Sequence, residues 1–341
     1  MATVLVVGCG VVGTRTARQL LGMAGVTQIV LSDPRTEHVN HVVASLGTTT
    51  SVIGNRSWTD VAPDLVVIAT APGHRRAASK ALSLGAHVVS VSDSIDDAVA
   101  LLGLHNQALS AGRQVVVGAG FSPGLTCLLA VHAAAEFSRV DEIHVAKTGT
   151  AGPDCARQHH LALRSDSRDW RDGQWISKPG GSGRELCWFP SPIGGLDCYR
   201  GALSDPVLLH PAFSSAERIT SRLSATRRDR LTSRLPMLRK PHAEAREGAV
   251  RVEVRGLRQG IADSVILGTM NQPSVGCAAV LAEVTGIVLA GETLRTGAGG
   301  MAEMIAAAPT LARLAAKGIR CSRFEGASAT TAPIEPANPT E

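Results

Sequence analysis

Three glycines near the start of the chain, in Gly8-Cys9-Gly10-Val11-Val12-Gly13, have the spacing G-x-G-x-x-G. They follow an apolar run at residues 4–7 and precede a helical pattern at 14–22. In that setting each glycine has its own task. Gly8 makes the tight turn, Gly10 lets the backbone approach a pyrophosphate, and Gly13 lets the helix close on the strand. The helix start at Val11 and Val12 then offers unpaired N–H groups and a partial positive charge to phosphates. Asp33 ends the second apolar run, 20 residues after Gly13, where a carboxylate binds the adenosine ribose hydroxyls of a dinucleotide. That carboxylate favours NAD(H), because it would repel a 2′-phosphate. Arg35 follows closely, and an arginine there could hold that phosphate, so NADP(H) stays open.

Other strand ends point to the same place. In open α/β sheets the ligand lies beyond the carboxyl ends of the strands. Thr70-Ala71-Pro72, Ser92-Asp93-Ser94 and Gly118-Ala119-Gly120 occupy those ends. Their small side chains leave room for a nicotinamide ring. His74 and Asp93 are the polar groups expected near the reacting carbon. Each also has a plainer reading: His74 as a helix-start residue facing water, and Asp93 as an N-cap.

A second Gly-x-Gly, at Gly118 and Gly120, ends the apolar run 114–117. Its third glycine position holds Pro123, with Gly124 one place later. Proline lacks an N–H and fixes its own φ, which suits the first turn of a helix behind Ser122 as N-cap. The loop reads as a strand end followed by a capped helix over 122–137. The chain therefore has one dinucleotide site.

Around these loops, strand patterns at 4–7, 28–31, 51–53, 65–69, 87–91 and 114–117 alternate with helical patterns at 14–22, 37–46, 74–84 and 96–111. This rhythm predicts an α/β fold, a Rossmann-type doubly wound parallel sheet. From 140 onward the texture is mixed. Strands are expected at 140–147, 185–189, 197–202, 250–255 and 263–269, with helices returning at 273–289, 302–307 and 309–317. The organisation expected is a dinucleotide domain over 1–121 and a mixed α+β domain over 122–270. C-terminal helices follow over 271–325, and then a disordered tail over 326–341 rich in Ala, Thr and Pro.

Aromatic residues make up 3% of the 341 residues, too few for the stacking platforms of a nucleic-acid binder. Between Glu217 and Arg246 nine Lys/Arg face three Asp/Glu, which accounts for the whole formal charge of +5. The stretch reads as a solvated basic face or as a surface near an anionic substrate. Seven cysteines occur with no C-x-x-C pair, which suits reduced thiols and a cytoplasmic protein. The longest apolar run, 275–291, is broken by Glu283, so no membrane span is expected. His159 and His160 are adjacent and diverge, with no third ligand evident, so no metal is expected.

The second loop, Gly118-Ala119-Gly120-Phe121-Ser122-Pro123-Gly124, resembles a motif of the saccharopine dehydrogenase family. Three later stretches are similar to that family in the same order: Trp188 to Gly194, Val252 to Gly256, and Leu289 to Met304. The resemblance implies that the C-terminal helices complete the Rossmann domain. The mixed domain would then be an insertion, carrying substrate contacts and a homodimer interface. It also implies hydride transfer at a carbon bearing nitrogen, on a small amino-acid-like substrate. For that chemistry His74, Asp93 and Lys147 are the candidates for proton work. Phe121, Ser122 and Pro123 would touch the substrate, and Arg157, Arg184 and Arg200 would bind its carboxylates. Two other readings stay open on the residues alone: a Rossmann dehydrogenase of alcohols or aldehydes, and a redox-silent dinucleotide-binding protein.

Overall fold

The apolar runs of the first third become strands of one parallel sheet, buried on both faces. The computed structural model describes residues 1–237, 247–325 and 328–330. In chain order its strands are β1 (Ala2–Val7), β2 (Val26–Ser32), β3 (Thr50–Val52), β4 (Leu65–Ile68), β5 (His87–Ser90) and β6 (Gln114–Val117). Then come β7 (Arg139–Thr148), β8 (Ser167–Arg171), β9 (Gln174–Lys178), β10 (Glu185–Phe189), β11 (Gly194–Tyr199) and β12 (Arg218–Ser224). The last are β13 (Gly248–Arg258), β14 (Ile261–Asn271), β15 (Gly297–Gly300), β16 (Ser322–Glu325) and β17 (Ser328–Thr330).

The first sheet has the order β15-β6-β5-β4-β1-β2-β3, and every pair in it is parallel. The direction of winding reverses beside β1, which lies between β4 and β2. That reversal opens a crevice above the strand ends, where such sheets bind ligands. Helix Val11–Leu20 packs against helix Pro273–Leu289. The latter is buried almost all round, so its apolar residues form no single stripe. Its carboxylate, Glu283, is matched by Arg313 and Lys317.

The second sheet has the order β10-β11-β12-β7-β13-β14-β16-β17, with the β8–β9 hairpin attached to β12. Only β12 and β7 run parallel; the β7–β13 and β13–β14 pairs at its centre are antiparallel. The strands β7 to β14 are inserted in the chain between β6 and β15. One hydrophobic core runs continuously through both sheets.

Several sequence expectations need correction. The helix expected over 96–111 is two helices, Ile95–Leu102 and His105–Ala111, parted at Gly103 and Leu104. Helix Pro153–Arg164 and the β8–β9 hairpin were not anticipated. Part of the basic stretch is not a solvated face: Arg218–Ser224 is strand β12, and Arg222, buried there, meets Glu185 at 2.7 Å. Arg227, Arg228 and Arg230, on the short helix Arg227–Thr232, are exposed as a solvated face would be, and 238–246 lie outside the described residues. Gly297–Gly300, which has no strand propensity, is an edge strand of the first sheet. Of the tail expected to be disordered, 328–330 pairs with β16 as β17, and 326–327 and 331–341 lie outside the described residues.

Candidate functional site

The first glycine loop has the packing its spacing demands. Gly8 adopts φ +97°, and a Cβ there would stand 2.6 Å from the Ala69 carbonyl oxygen. A Cβ on Gly13 would stand 1.8 Å from the Gly8 carbonyl oxygen, so the helix lies directly on the turn. A Cβ on Gly10 would meet nothing within 4 Å. Gly10 is the N-cap of helix Val11–Leu20 and supplies no side chain, so the first N–H groups of that helix face open space. This is a cradle with its phosphate side uncovered, and it fits a dinucleotide.

Asp33 braces the cradle as well as ending β2. Its Oδ2 accepts the Cys9 N–H at 2.8 Å. Arg35 holds both of its oxygens, Nε donating at 2.8 Å and Nη2 at 2.9 Å. That guanidinium keeps the Asp33 carboxyl far below the usual carboxylate range. Gly8, Gly10, Val11, Asp33, Arg35, Thr70 and Ala71 line one groove of about 650 Å³. Arg157 lines it too and pairs with Asp154; it lines neither the cleft nor the outer chamber described next.

The groove continues into a cleft where the two sheets meet. Val12, Pro72, Asp93, Gly120, Phe121 and Ser122 line it from the first sheet's strand ends. Lys147, Cys155, Gln158 and His159 line it from the other side. Asp93, Gln158 and His159 also line an outer chamber of about 540 Å³, which reaches Arg168 and Trp175.

Lys147 is the next-to-last residue of β7 and is 4% exposed. Its ammonium donates to the Ser122 carbonyl oxygen at 3.1 Å and lies 3.9 Å from Asp93 Oδ2. Asp205 sits beneath the same loop, fully buried. It accepts from Thr126 Oγ1 at 2.6 Å and from Ser122 Oγ at 3.2 Å. Burial pushes its carboxyl up, and the Lys147 charge opposes that shift. Sequence reasoning missed Asp205, because its partners are 79 and 83 residues away in the chain.

The Ser122 loop differs from expectation. Ser122 is not an N-cap, and the Ser122–Pro123 peptide is cis. The helix starts at Leu125, capped by Gly124 at φ +124°. A Cβ on Gly124 would stand 2.2 Å from the Gly120 carbonyl oxygen, so the turn accepts only glycine there. Phe121 packs on Gly276 and faces the cleft. Pro123 and Gly118 do not line it. They pack on each other, and Gly118 also lies against Leu208.

His74 does not face the cleft. It is 1% exposed and lines none of these cavities. Its Nε2 lies 3.2 and 3.1 Å from the carbonyl oxygens of Thr70 and Ala71, and its Nδ1 lies 2.8 Å from Ser90 Oγ. Burial pushes its pKa down, so the ring is neutral and Nε2–H donates to the two carbonyls. His74 therefore positions the Thr70–Ala71 turn from below and cannot reach a substrate. Arg184 and Arg200 also miss the cleft. Arg184 is exposed and pairs with Asp197 at 2.9 Å, and Arg200 lies 3.6 Å from Asp169.

No protein-family model matches the chain, nor does any curated protein. Solved structures do. The chain is similar to a saccharopine dehydrogenase (L-Glu forming) from Saccharomyces cerevisiae, at 15% identity and a TM-score of 0.71, over 95% of this chain and 100% of that one. It is similar to an amine dehydrogenase from Mycobacterium smegmatis, at 12% identity and a TM-score of 0.52, over 89% and 96% of the two chains. It also matches an engineered D-amino acid dehydrogenase bound to NADP+, at 14% identity and a TM-score of 0.50, over 89% and 94%. At such identities the likeness is one of fold: a Rossmann sheet joined to a second mixed sheet. Among the described residues no helix is long and apolar enough to cross a membrane.

Proposed function

We propose that this chain is an NAD(P)-dependent oxidoreductase that transfers hydride at the C–N bond of an amino-acid-like substrate, between amine and imine. One observation carries the reading. Lys147 is a buried ammonium held where the first sheet's strand ends meet the second sheet, in the cleft that continues the glycine-loop groove. The shared fold with dehydrogenases of amino acids and amines supports it.

Gly8, Gly10, Gly13 and the first turn of Val11–Leu20 would hold the pyrophosphate, and Asp33 the adenosine ribose. NAD(H) is the expected form, and competing titrations with NADH and NADPH decide it against NADP(H). The bound nicotinamide supplies the hydride acceptor or donor. Lys147 gives a proton to the substrate nitrogen or to water, or takes one from it, as the direction requires. The Ser122 carbonyl and Asp93 hold its amine in place, and Asp205 sets a negative charge behind it. The outer chamber takes the remainder of the substrate, with Arg168 as its cation for a carboxylate. Exposed Leu186 and Trp188 on the edge strand β10 support a homodimer, which sedimentation would test.

The test follows NAD(P)H absorbance with amino acids, amines, 2-oxo acids and aldehydes, alone and in pairs. Turnover on a C–N substrate is expected, and Lys147→Met should lower kcat by about 10²–10⁴ with cofactor affinity unchanged. Turnover only on alcohols, or full kcat in Lys147→Met, would overturn the proposal.

A further inference from the structure

Three different metal-binding side chains converge in the cleft, and two of them, Cys155 and His159, have no part in the proton chemistry above. Asp93, Cys155 and His159 offer a carboxylate oxygen, a sulfur and a ring nitrogen that all lie within 4.8 Å of one another. Cys155 and His159 are four residues apart on helix Pro153–Arg164, so both project from one face. Asp93 reaches them from the loop after β5. We propose that these residues form a zinc site with three protein ligands and a fourth position open to the cleft.

Geometry, charge and donor chemistry each support this. On a tetrahedral zinc, a sulfur at about 2.3 Å and a nitrogen at about 2.0–2.1 Å stand roughly 3.5 Å apart. Cys155 Sγ and His159 Nε2 are 3.6 Å apart. The Asp93 carboxylate oxygen lies within 4.8 Å of both. Burial holds the free Cys155 thiol up at about 11, and a coordinated dication would deprotonate it. A zinc dication with one thiolate, one carboxylate and a neutral imidazole sums to zero charge. Lys147, 3.9 Å from Asp93, would therefore not face a net positive centre. The mixed sulfur, nitrogen and oxygen set suits zinc and is wrong for magnesium or calcium, which demand oxygen. All three residues line the cleft, so the open position meets whatever oxygen or nitrogen a substrate presents there. The inference does not rest on the amine reading, since metal binding is read without turnover.

Cobalt(II) is the probe. The full chain, stripped with chelator, is titrated with Co²⁺. We expect a thiolate-to-cobalt charge-transfer band and intense tetrahedral visible bands, saturating at one equivalent and removed by one equivalent of Zn²⁺. Cys155→Ser should lose the charge-transfer band. His159→Ala should weaken binding more than about 100-fold, beyond the 10–100-fold that outer-shell changes cost. Cys277→Ser, which removes the other thiol of the cleft, should keep the full spectrum. Near-ultraviolet circular dichroism checks each fold. If Cys155→Ser does not fold, His159→Ala and Asp93→Asn decide by affinity. No thiolate band in the wild type, the same band and affinity in Cys155→Ser, unaltered affinity in both other variants, or loss only in Cys277→Ser would each overturn the site.

Discussion

Gly10 and Gly13 stand three residues apart, and alanine at each should fail in opposite ways. A Cβ on Gly13 would lie 1.8 Å from the Gly8 carbonyl oxygen and 3.0 Å from its carbon. The helix would have to retreat by about 1.5 Å to restore contact distance. Overpacking of this kind costs about 1–3 kcal/mol, and a backbone oxygen cannot swing aside, so the upper end applies. For a chain of 341 residues, at about 2.1 cal/mol/K of unfolding entropy each, that lowers Tm by roughly 4 °C. The retreat also drags the helix N–H groups off the phosphates, so the Kd for NAD(P)H should rise at least about tenfold, or ~1.4 kcal/mol. Gly10 sits at φ −71° and ψ −170°, which alanine adopts freely, with no atom within 4 Å of its Cβ. Gly10→Ala should change stability by no more than about 0.5 kcal/mol. Its methyl nevertheless projects where the pyrophosphate approaches, so the Kd should again rise at least about tenfold. Thermal unfolding and NAD(P)H fluorescence titration read the two effects separately. A wild-type Tm for Gly13→Ala would refute the packing argument. A wild-type Kd for Gly10→Ala would refute the cradle.

The other predictions concern the cleft and its supports. His74 is buried neutral with a pKa below that of the unfolded chain, so the unfolded state binds more protons as pH falls past about 6.5. Its contribution is complete above that pH. Below it, stability should fall by up to about 1.4 kcal/mol per pH unit until the folded pKa is passed. His74→Gln should flatten that part of the Tm–pH curve, and an unaltered slope would count against the assignment. Asp205→Asn keeps the shape but removes the charge behind Lys147, so kcat should fall at least about tenfold with cofactor Kd unchanged; an unchanged kcat would exclude that role. Arg184→Ala breaks an exposed ion pair, so Tm should move little and substrate KM not at all. A tenfold rise in KM would return Arg184 to the substrate.

What the sequence made legible is what local pattern determines. The strands of the first sheet are uninterrupted apolar runs because both faces are buried, and the glycine spacing is fixed by contacts only residues apart. Asp93 and Lys147 could be nominated because each lies within three residues of the carboxyl end of a strand, β5 and β7. The misses all depend on distant partners. Gly297–Gly300 is a strand because β6 needs a neighbour and because Leu208 leaves no room for a side chain at Gly300. β12 was obscured by its arginines, which the fold matches with carboxylates from other strands. Arg184 and Arg200 looked available because Asp197 and Asp169 were invisible as their partners. The pairing of Cys155 with His159 did carry a local signal, their four-residue spacing, but Asp93 joins them only through the tertiary fold.

β15 gives the molecule an order of assembly. A ribosome makes β1 to β6, then the whole inserted sheet up to β14, and only then the strand that completes the first sheet. Helix Pro273–Leu289, which covers Val11–Leu20, is equally late. Until both emerge, β6 presents a bare row of N–H and C=O groups beside an uncovered apolar face, an invitation to pair with a neighbouring chain. The nucleotide half is thus begun first and finished last, and a nascent chain stopped near residue 272 would carry the glycine loop without the helix that backs it.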